Sequence, residues 1–280
     1  MTYRLLAINM DGALLESDTK MSKQTKAAIE YVKNKGVKIV LITSKPYLSA
    51  HKVAKALKIN DYLICSDGAY MAKSNEDILL ANRITEVQCE EIIDILERFD
   101  CHIRVFNEQY SLGNKVKNKG QMVAKLSINL DEPRFYPLNF VDSVYDHVVD
   151  YPISPLKIQA QFANKEDLKK AVRQIENMEQ PFTIRQSQDS KIELLQKGVS
   201  RGKALRYLVH SYGISMEEVV TVCASESDYE MMIESGLGVA MGNAPSRIKS
   251  HAKWLTRSKD DQGFAYMVRE VFRKQLKVEI

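Results

Sequence analysis

Polar side chains follow directly after short apolar runs at several places in the chain. Asn9 and Asp11 follow the first of these runs, Thr43 follows the second, and Asp228 follows a run in the last quarter of the sequence. Loops that leave the carboxyl ends of buried parallel strands are where α/β proteins place their ligand sites. Carboxylates there could act as nucleophiles, acid–base groups or metal ligands, and hydroxyls could bind an anion. These residues therefore mark a candidate site that the surrounding elements must bring together.

The apolar runs have the length and the near-continuous hydrophobicity of strands that are buried on both faces. Helical stretches separate them, and Gly36 ends the first of these stretches. This alternation predicts a doubly wound α/β sheet, a Rossmann-like core. The predicted strands are residues 3–8, 37–42, 62–65, 219–223 and 237–241. The predicted helices are residues 22–34, about 47–58, 202–212, 228–235 and about 263–276.

The strict alternation stops in the middle of the chain and resumes after it. Helical and strand-like stretches between residues 84 and 190 follow a different order, which is typical of an α+β unit. We therefore predict a core domain formed by residues 1–83 and 191–280, with residues 84–190 inserted as a second, α+β domain. The predicted elements of the insertion are helices at 86–99 and 165–178 and strands at 102–106 and 153–162.

Five short segments carry a family resemblance. Residues 9–13 read Asn-Met-Asp-Gly-Ala, Thr43 opens a Thr-Ser-Lys-Pro segment, and residues 198–202 read Gly-Val-Ser-Arg-Gly. Residues 223–228 read Cys-Ala-Ser-Glu-Ser-Asp, and residues 238–244 read Gly-Val-Ala-Met-Gly-Asn-Ala. In this order the segments resemble the motifs of the haloacid dehalogenase (HAD) superfamily, in its Cof-type branch, subfamily IIB. The resemblance covers essentially the whole chain and implies a HAD core with a large α+β cap as the insertion.

The segments also depart from the family pattern. Family members carry Asp-x-Asp-Gly-Thr in the first motif, Thr-Gly-Arg-Pro in the second, a lysine in the third and Gly-Asp-x-x-Asn-Asp in the fourth. In this chain Asn9 stands at the nucleophile position, Arg201 at the lysine position and Ala224 at a metal-ligand position. The close match of residues 238–244 fixes the alignment of the degraded fourth motif.

The resemblance assigns a role to each matching position. Asn9 occupies the degraded nucleophile position, and Asp11 occupies the acid–base position. The implied phosphate-binding residues are Thr43, Ser44, Arg201 and Asn243. The implied metal site, weak or absent, would use the main-chain carbonyl of Asp11 together with Asp228 and Asn9, while Ala224 offers no side-chain ligand.

These substitutions predict a loss of chemistry. Covalent phosphoryl transfer needs an anionic carboxylate near phosphorus, and the carboxamide of Asn9 is neutral and poorly nucleophilic. Losing such a group costs roughly 10⁴ to 10⁶-fold in rate. Magnesium is usually held by one or two carboxylates, so we expect no tightly bound cofactor. Arg201 and Lys45 remain, and we expect a local field that favours an anion without metal.

Three functions follow as hypotheses. The first is a pseudoenzyme that lacks phosphatase turnover and binds a phosphorylated small molecule or a protein partner. The alternative is a phosphatase for sugar phosphates or similar metabolites, with Mg²⁺ as cofactor and with Asp11 or Asp228 taking over a catalytic role. The third is a structural or interaction protein that uses the cap surface. The aromatic run at 134–145 in the cap favours packing over partner binding.

Structural roles for the same residues stand beside these hypotheses. Asp11 could cap its loop, Thr43 could end a strand, Asp228 could be the N-cap of a helix, and Arg201 could pair with a surface carboxylate. These roles require no ligand.

Composition limits the classes of partner. The 280 residues carry a formal net charge of +4, spread along the chain, so neither a nucleic-acid partner nor a membrane is expected. No apolar stretch approaches the roughly 20 residues of a membrane-spanning helix. The four cysteines lie far apart, and with no N-terminal targeting segment they predict reduced, buried thiols in a cytoplasmic protein.

Overall fold

The computed structural model describes residues 2–15, 21–115, 136–179, 181–186, 190–273 and 275. The chain divides into two compact units. The first contains Met1–Leu79 and Ser200–Ile280, and the second contains Leu80–Val199. No helix among the described residues is both long and apolar enough to span a membrane.

An eight-stranded sheet forms the centre of the first unit. Its strands are β1 (Leu5–Asn9), β2 (Lys38–Ile42), β3 (Leu63–Cys65), β4 (Tyr70–Ala72), β5 (Ile78–Ala81), β12 (Val219–Cys223), β13 (Leu237–Ala240) and β14 (Trp254–Leu255), in the order β14-β13-β12-β1-β2-β3-β4-β5. Its helices are α1 (Lys23–Asn34), α2 (Tyr47–Ala56), α6 (Arg201–Ser211), α7 (Tyr229–Glu234), α8 (Ser246–His251) and α9 (Gly263–Phe272).

Strand β1 lies between β12 and β2 and pairs with both in parallel. All of its residues are buried, which explains why the strand is apolar without alternation. From β1 the chain continues outward through β2 and β3, and from β12 it continues in the opposite direction through β13. The strand order therefore reverses between β1 and β12, and this is where a doubly wound sheet binds its ligands. The predicted fold class is confirmed.

The described residues of the second unit form a six-stranded sheet and three helices. Its strands are β6 (Cys101–Phe106), β7 (Ser111–Asn114), β8 (Leu138–Val141), β9 (Lys157–Phe162), β10 (Phe182–Gln186) and β11 (Lys191–Gln196), in the order β10-β11-β9-β6-β7-β8. Its helices are α3 (Glu86–Glu97), α4 (Val144–Asp150) and α5 (Lys165–Glu176). Apolar residues from these helices and from the sheet, including Ile92, Ile103 and Val172, form one buried core.

Several boundaries in the second unit differ from the sequence prediction. Strand β11 pairs antiparallel with β9 and β10, so residues 191–199 lie in this unit, whereas the prediction ended the insertion at residue 190. Strand β9 begins at Lys157, although the predicted strand began at residue 153. Pro155 explains this later start because proline lacks the N–H group that a strand ladder requires.

The aromatic run at 134–145 lies partly outside the described residues. Within the described part, Tyr136 is buried and stacks on Phe106, as expected for packing, whereas Phe140 is about half exposed. The four cysteines are free and buried. Burial, with a small contribution from nearby carboxylates, raises the pKa of the Cys89 and Cys101 thiols to about 12.

Candidate active site

The carboxyl ends of the central strands bring the predicted site residues together. Asn9 is the last residue of β1, Thr43 follows β2, and Asp228 follows β12. Arg201 is the first residue of α6. All four are almost completely buried, with Thr43 and Asp228 at 0% exposure. Because buried polar groups must find partners inside the protein, their hydrogen bonds define what the site can do.

The carboxylate of Asp228 is the centre of this network. Its Oδ2 atom accepts hydrogen bonds from the Asn9 amide at 2.6 Å and from the backbone N–H groups of Ala224 and Ser225, both at 2.8 Å. Its Oδ1 atom accepts from Nη1 of Arg201 at 2.7 Å. Asp228 is the N-cap residue of α7, but its carboxylate accepts hydrogen bonds from the preceding turn and makes none to the helix. Four donors therefore already occupy the two carboxylate oxygens.

The amide of Asn9 has a defined orientation. Its Oδ1 atom accepts from the backbone N–H of Gly12 at 3.1 Å, and its Nδ2 atom donates to Asp228 and to Oγ of Ser225 at 3.2 Å. The reverse orientation would place the amide oxygen against the Asp228 carboxylate and the amide hydrogens against the Gly12 N–H. At the nucleophile position the chain therefore presents an N–H donor to a neighbouring carboxylate.

Arg201 connects two buried carboxylates. Its Nε and Nη2 atoms lie 3.0 and 2.8 Å from Oδ1 of Asp67, and its Nη1 atom contacts Asp228 and Oγ of Ser225. Burial alone would lower the pKa of the Arg201 guanidinium, but the Asp67 and Asp228 carboxylates raise it above its usual value. Arg201 is therefore charged and paired inside the protein. The prediction that it pairs with a carboxylate at the surface is wrong, because Arg201 is only 3% exposed.

Asp67 was not among the residues predicted for the site. It lies in the loop after β3 with a left-handed backbone, φ 59° and ψ 26°. Gly68 follows with φ 98°, and a Cβ atom there would lie 2.4 Å from the carbonyl oxygen of Ser200. Only glycine permits this close approach, which places Asp67 beside the first residue of α6. The signal in the sequence was a Ser-Asp-Gly segment directly after a buried strand.

The second part of the site is more exposed. The Asp11 side chain, 30% exposed, accepts a hydrogen bond from Oγ1 of Thr43 at 2.6 Å. Nζ of Lys45 forms an ion pair with Oδ1 of Asp11 at 3.3 Å, and the Lys45 backbone N–H donates to Oγ1 of Thr43 at 3.0 Å. Asp11 therefore bonds to Thr43 instead of capping its own loop, and it occupies the hydroxyl that was predicted to bind phosphate.

The remaining predicted residues have different surroundings. Asn243 donates to the backbone carbonyl of Gly12 at 3.0 Å and accepts from the backbone N–H of Lys259 at 3.0 Å, so it joins two loops with both ends of its amide. Ser44 is half-buried next to Thr43 in the chain.

The charges differ from the expectation of an anion-favouring field. Asp11, Asp67 and Asp228 contribute three carboxylates, against one guanidinium on Arg201 and one ammonium on Lys45. Both cations contact carboxylates within this group. The site residues therefore do not provide an excess of positive charge, and the prediction overlooked Asp67.

The site residues also do not fit a magnesium ion. Magnesium requires oxygen ligands in a near-octahedral arrangement. The Asp228 oxygens are occupied by N–H donors, the Asn9 oxygen accepts from Gly12, and Ala224 brings only a methyl group. A Cβ atom added to Gly12 would lie 2.3 Å from that methyl group, so little space remains between the two loops. Among the described residues, no group of three or more His, Cys, Asp or Glu side chains is placed to hold a metal.

Comparison with known proteins places this geometry in a family. The model of the haloacid dehalogenase-like hydrolases matches residues 6–268. The stress response protein YhaX of Bacillus subtilis is 39% identical over 275 residues, which cover 98% of this chain and 95% of YhaX. The phosphatase YwpJ of the same organism is 24% identical, with 96% of this chain and 99% of YwpJ covered.

A solved structure supports the same fold. The haloacid dehalogenase-like hydrolase from Bacteroides thetaiotaomicron superposes with a TM-score of 0.84 at 18% identity, covering 97% of this chain and all of that one. The order of elements, the site at the strand reversal and the family match agree. The chain therefore belongs to the haloacid dehalogenase-like hydrolase family.

Proposed function

We propose that this protein has lost phosphatase turnover and acts by binding a phosphorylated small molecule or a protein partner. One observation carries the proposal: the side chain at the nucleophile position, Asn9, donates its amide to the Asp228 carboxylate at 2.6 Å. Attack on phosphorus requires an anionic oxygen at this position, and an amide nitrogen engaged as a donor cannot supply it.

A neighbouring carboxylate would have to replace the missing nucleophile. Asp228 is unsuitable because both of its oxygens accept hydrogen bonds and the residue is completely buried. Asp67 is equally buried and bonds to Arg201. Among the described site residues, Asp11 is the carboxylate with an exposed side chain. Any residual turnover would therefore depend on Asp11.

Binding without turnover would use Thr43 and Lys45. A phosphoryl oxygen could accept from the Thr43 hydroxyl and from the Lys45 ammonium once Asp11 releases them. Hydrogen bonds from a hydroxyl and a cation to phosphate are charge-assisted and strong. The phosphate competes directly with Asp11 for these two groups, so we expect phosphate alone to bind weakly. Most of the affinity for a phosphorylated ligand would then come from contacts with the rest of that ligand.

An assay with para-nitrophenyl phosphate and magnesium tests the loss of turnover. We expect the wild-type rate to lie more than a hundredfold below ordinary enzyme rates of roughly 1 to 10³ per second. The matched control is the double variant Asn9→Asp/Ala224→Asp, which restores both carboxylates. Activity in the double variant alone shows that the pocket is intact and only the chemistry was lost. Wild-type turnover in the ordinary range would refute the proposal.

Calorimetric titration with inorganic phosphate tests the binding part. We expect Thr43→Val and Lys45→Ala to weaken binding, while the exposed Lys55→Ala on α2 leaves it unchanged. If wild type fails to bind phosphate and small phosphorylated metabolites alike, the phosphorylated ligand is excluded and the protein partner remains.

A second candidate is a working phosphatase for sugar phosphates or similar metabolites, with Mg²⁺ as its cofactor. The names of relatives favour it, since several are called phosphatases, among them one for 5-amino-6-(5-phospho-D-ribitylamino)uracil, which is 26% identical. In that case Asp11 would act as the base or nucleophile, and Asp11→Asn would abolish turnover. Asp94→Asn, an exposed carboxylate in the second unit, is the matched control.

A further inference from the structure

We propose that Arg201 is a built-in cation that replaces a divalent metal as the counter-charge of this site. Asn9, Asp67, Arg201, Ser225 and Asp228 form what we call the buried cluster. The inference is that the buried cluster folds and remains stable without metal because the guanidinium holds its two carboxylates. It concerns stability and not turnover, so it stands or falls independently of the proposed function.

The need for a counter-cation follows from burial. Asp67 is 1% exposed and Asp228 is completely buried. Two carboxylates that are removed from water carry a large desolvation cost unless a cation and hydrogen bonds compensate for it. In this cluster one guanidinium contacts both, at 2.8 Å from Asp67 and 2.7 Å from Asp228. It therefore supplies the charge compensation that the two buried carboxylates need.

The shape of the guanidinium suits this task. Its Nε and Nη2 atoms both face Oδ1 of Asp67, while Nη1 faces Asp228 and the Ser225 hydroxyl. The planar fork thus reaches carboxylates on two different loops, as a compact ammonium could not do with the same number of hydrogen bonds. Arginine therefore suits this position through the shape of its guanidinium as well as through its positive charge.

The cluster also joins separate parts of the sheet. Asp67 follows β3, Asp228 follows β12, and Asn9 ends β1, so three strand ends meet at the first turn of α6. A bound metal would need an oxygen of Asp228, and each of these oxygens already accepts from an N–H group. At Oδ1, a metal could enter only by displacing Arg201 from Asp228. Cation and metal are therefore mutually exclusive occupants.

Thermal unfolding of the full chain tests the inference, with EDTA or with MgCl₂ or MnCl₂ at about 10 mM. We expect the Tm of the wild type to differ by less than about 1 °C between these conditions, because a ligand stabilises only a protein that binds it. We expect Arg201→Ala to lower the Tm by about 10 °C in EDTA, because it leaves two buried carboxylates without a counter-cation.

The Tm of Arg201→Ala with added metal shows whether Arg201 stabilises the protein through its charge or only through the space that its side chain fills. In Arg201→Ala, the oxygens of Asp67, Asp228 and Ser225 surround the space that the guanidinium left, and hard divalent cations prefer oxygen ligands. We therefore expect Mg²⁺ or Mn²⁺ to restore several degrees of the lost Tm. The double variant Arg201→Ala/Asp67→Asn has one carboxylate fewer and should lose this response.

Arg206→Ala is the matched control for the loss of an arginine. Arg206 pairs with Glu230 and Glu234 at the surface, with its side chain 49% exposed, so its removal should change the Tm by less than about 3 °C. If Arg201→Ala does not yield folded protein, Arg201→Lys keeps one charge and should show a smaller Tm loss with a weaker metal response.

Three results would overturn the inference. The first is a wild-type Tm that rises with Mg²⁺ as much as the Tm of Arg201→Ala does. The second is a Tm loss in Arg201→Ala that is no larger than the loss in Arg206→Ala. The third is an Arg201→Ala protein whose Tm does not rise with added metal. None of these depends on a phosphatase assay. Conversely, turnover in the wild type would refute the proposed function without changing the Tm comparison.

Discussion

The two halves of the site lie side by side and differ in almost every physical respect. The buried cluster around Asp228 and Arg201 is closed to solvent, and its charges are compensated within it. The other half, which we call the exposed triad, consists of Asp11, Thr43 and Lys45. Thr43 is buried, but the charged side chains of Asp11 and Lys45 are 30% and 18% exposed and keep partial contact with water. The comparison teaches that internal pairing closes one half of the site, while the charged groups of the other half can still exchange partners.

The difference has an energetic basis. Partners of a buried ion pair cannot be replaced by water, so removing one leaves the other with its full desolvation cost. Partners of an exposed pair are replaced by solvent, and such pairs contribute about 0–1 kcal/mol. Variants in the buried cluster should therefore act mainly on stability. Variants in the exposed triad should act mainly on ligand binding.

Asp228→Ala should give the largest effect. It leaves Arg201 with one carboxylate partner and removes the acceptor of the Asn9 amide and of two backbone N–H groups. We expect the free energy of unfolding to fall by about 3–5 kcal/mol, measured by urea denaturation. The counterpart in the exposed triad, Asp11→Ala, should cost less than about 1 kcal/mol. Equal losses for the two variants would remove the distinction between the halves.

The fold could be predicted from the sequence to a large extent. Strands such as β1 and β12 are buried on both faces, so their continuous apolar runs identify them clearly as strands. The order of the family motifs along the chain indicated which strand precedes which motif. The second sheet was harder to predict because strands such as β10 are short and half-exposed, which weakens the hydrophobic pattern. Strand β11 extends the second unit past the predicted boundary. Its pairing with β9 places it in this unit, and the local sequence of β11 does not reveal that pairing.

Most residues of the site could be predicted from the sequence, but the hydrogen bonds and ion pairs between them could not. The sequence identified Asn9, Arg201 and Asp228, and their proximity follows from the parallel strands. Asp67 was missed because it lies 134 positions before Arg201 in the sequence. Their contact depends on the close approach of the Gly68 backbone to Ser200, which the sequence does not reveal. Charge balance followed the same course: without Asp67 the site has two carboxylates against two cations, and with Asp67 the carboxylates are in excess.

Gly12→Ala should produce the next largest effect, since Gly12 follows Asp11 of the exposed triad in the chain and hydrogen-bonds to Asn9 of the buried cluster. Its N–H donates to Asn9, its carbonyl accepts from Asn243, and an added Cβ would overlap the Ala224 methyl group. We expect a loss of about 1–3 kcal/mol in the free energy of unfolding. The double variant Gly12→Ala/Ala224→Gly exchanges the two methyl positions and should recover most of the loss. Strict additivity of the two changes would show that the loops do not contact each other at this point.

Thr43→Val should have a smaller effect on stability and a clear one on binding. The change keeps the volume of this buried side chain but removes the hydroxyl that donates to Asp11 and accepts from the Lys45 N–H. Because the change removes the hydrogen bonds that the hydroxyl makes, we expect a cost of about 1 kcal/mol in urea denaturation. Thr43→Ser keeps the hydroxyl and serves as the control for phosphate binding. Phosphate affinity that is the same in Thr43→Val and wild type would exclude Thr43 from the ligand contact.

Asp11→Asn should have the smallest effect on stability and should change binding in the opposite direction. The amide can still accept from Thr43, so we expect the free energy of unfolding to change by less than about 0.5 kcal/mol. Removing a negative charge from beside a bound phosphate should strengthen its binding by about 1 kcal/mol, or roughly fivefold in Kd at low salt.

Titration calorimetry with inorganic phosphate measures this gain, and Asp94→Asn, an exposed carboxylate in the second unit, controls for the change in net charge. A gain confined to Asp11→Asn, and reduced by added salt, locates the anion at the exposed triad. A loss of phosphate affinity in Asp11→Asn would contradict this placement, because an anion that lies beside a carboxylate binds more tightly once that negative charge is removed. The phosphate would then bind away from the exposed triad.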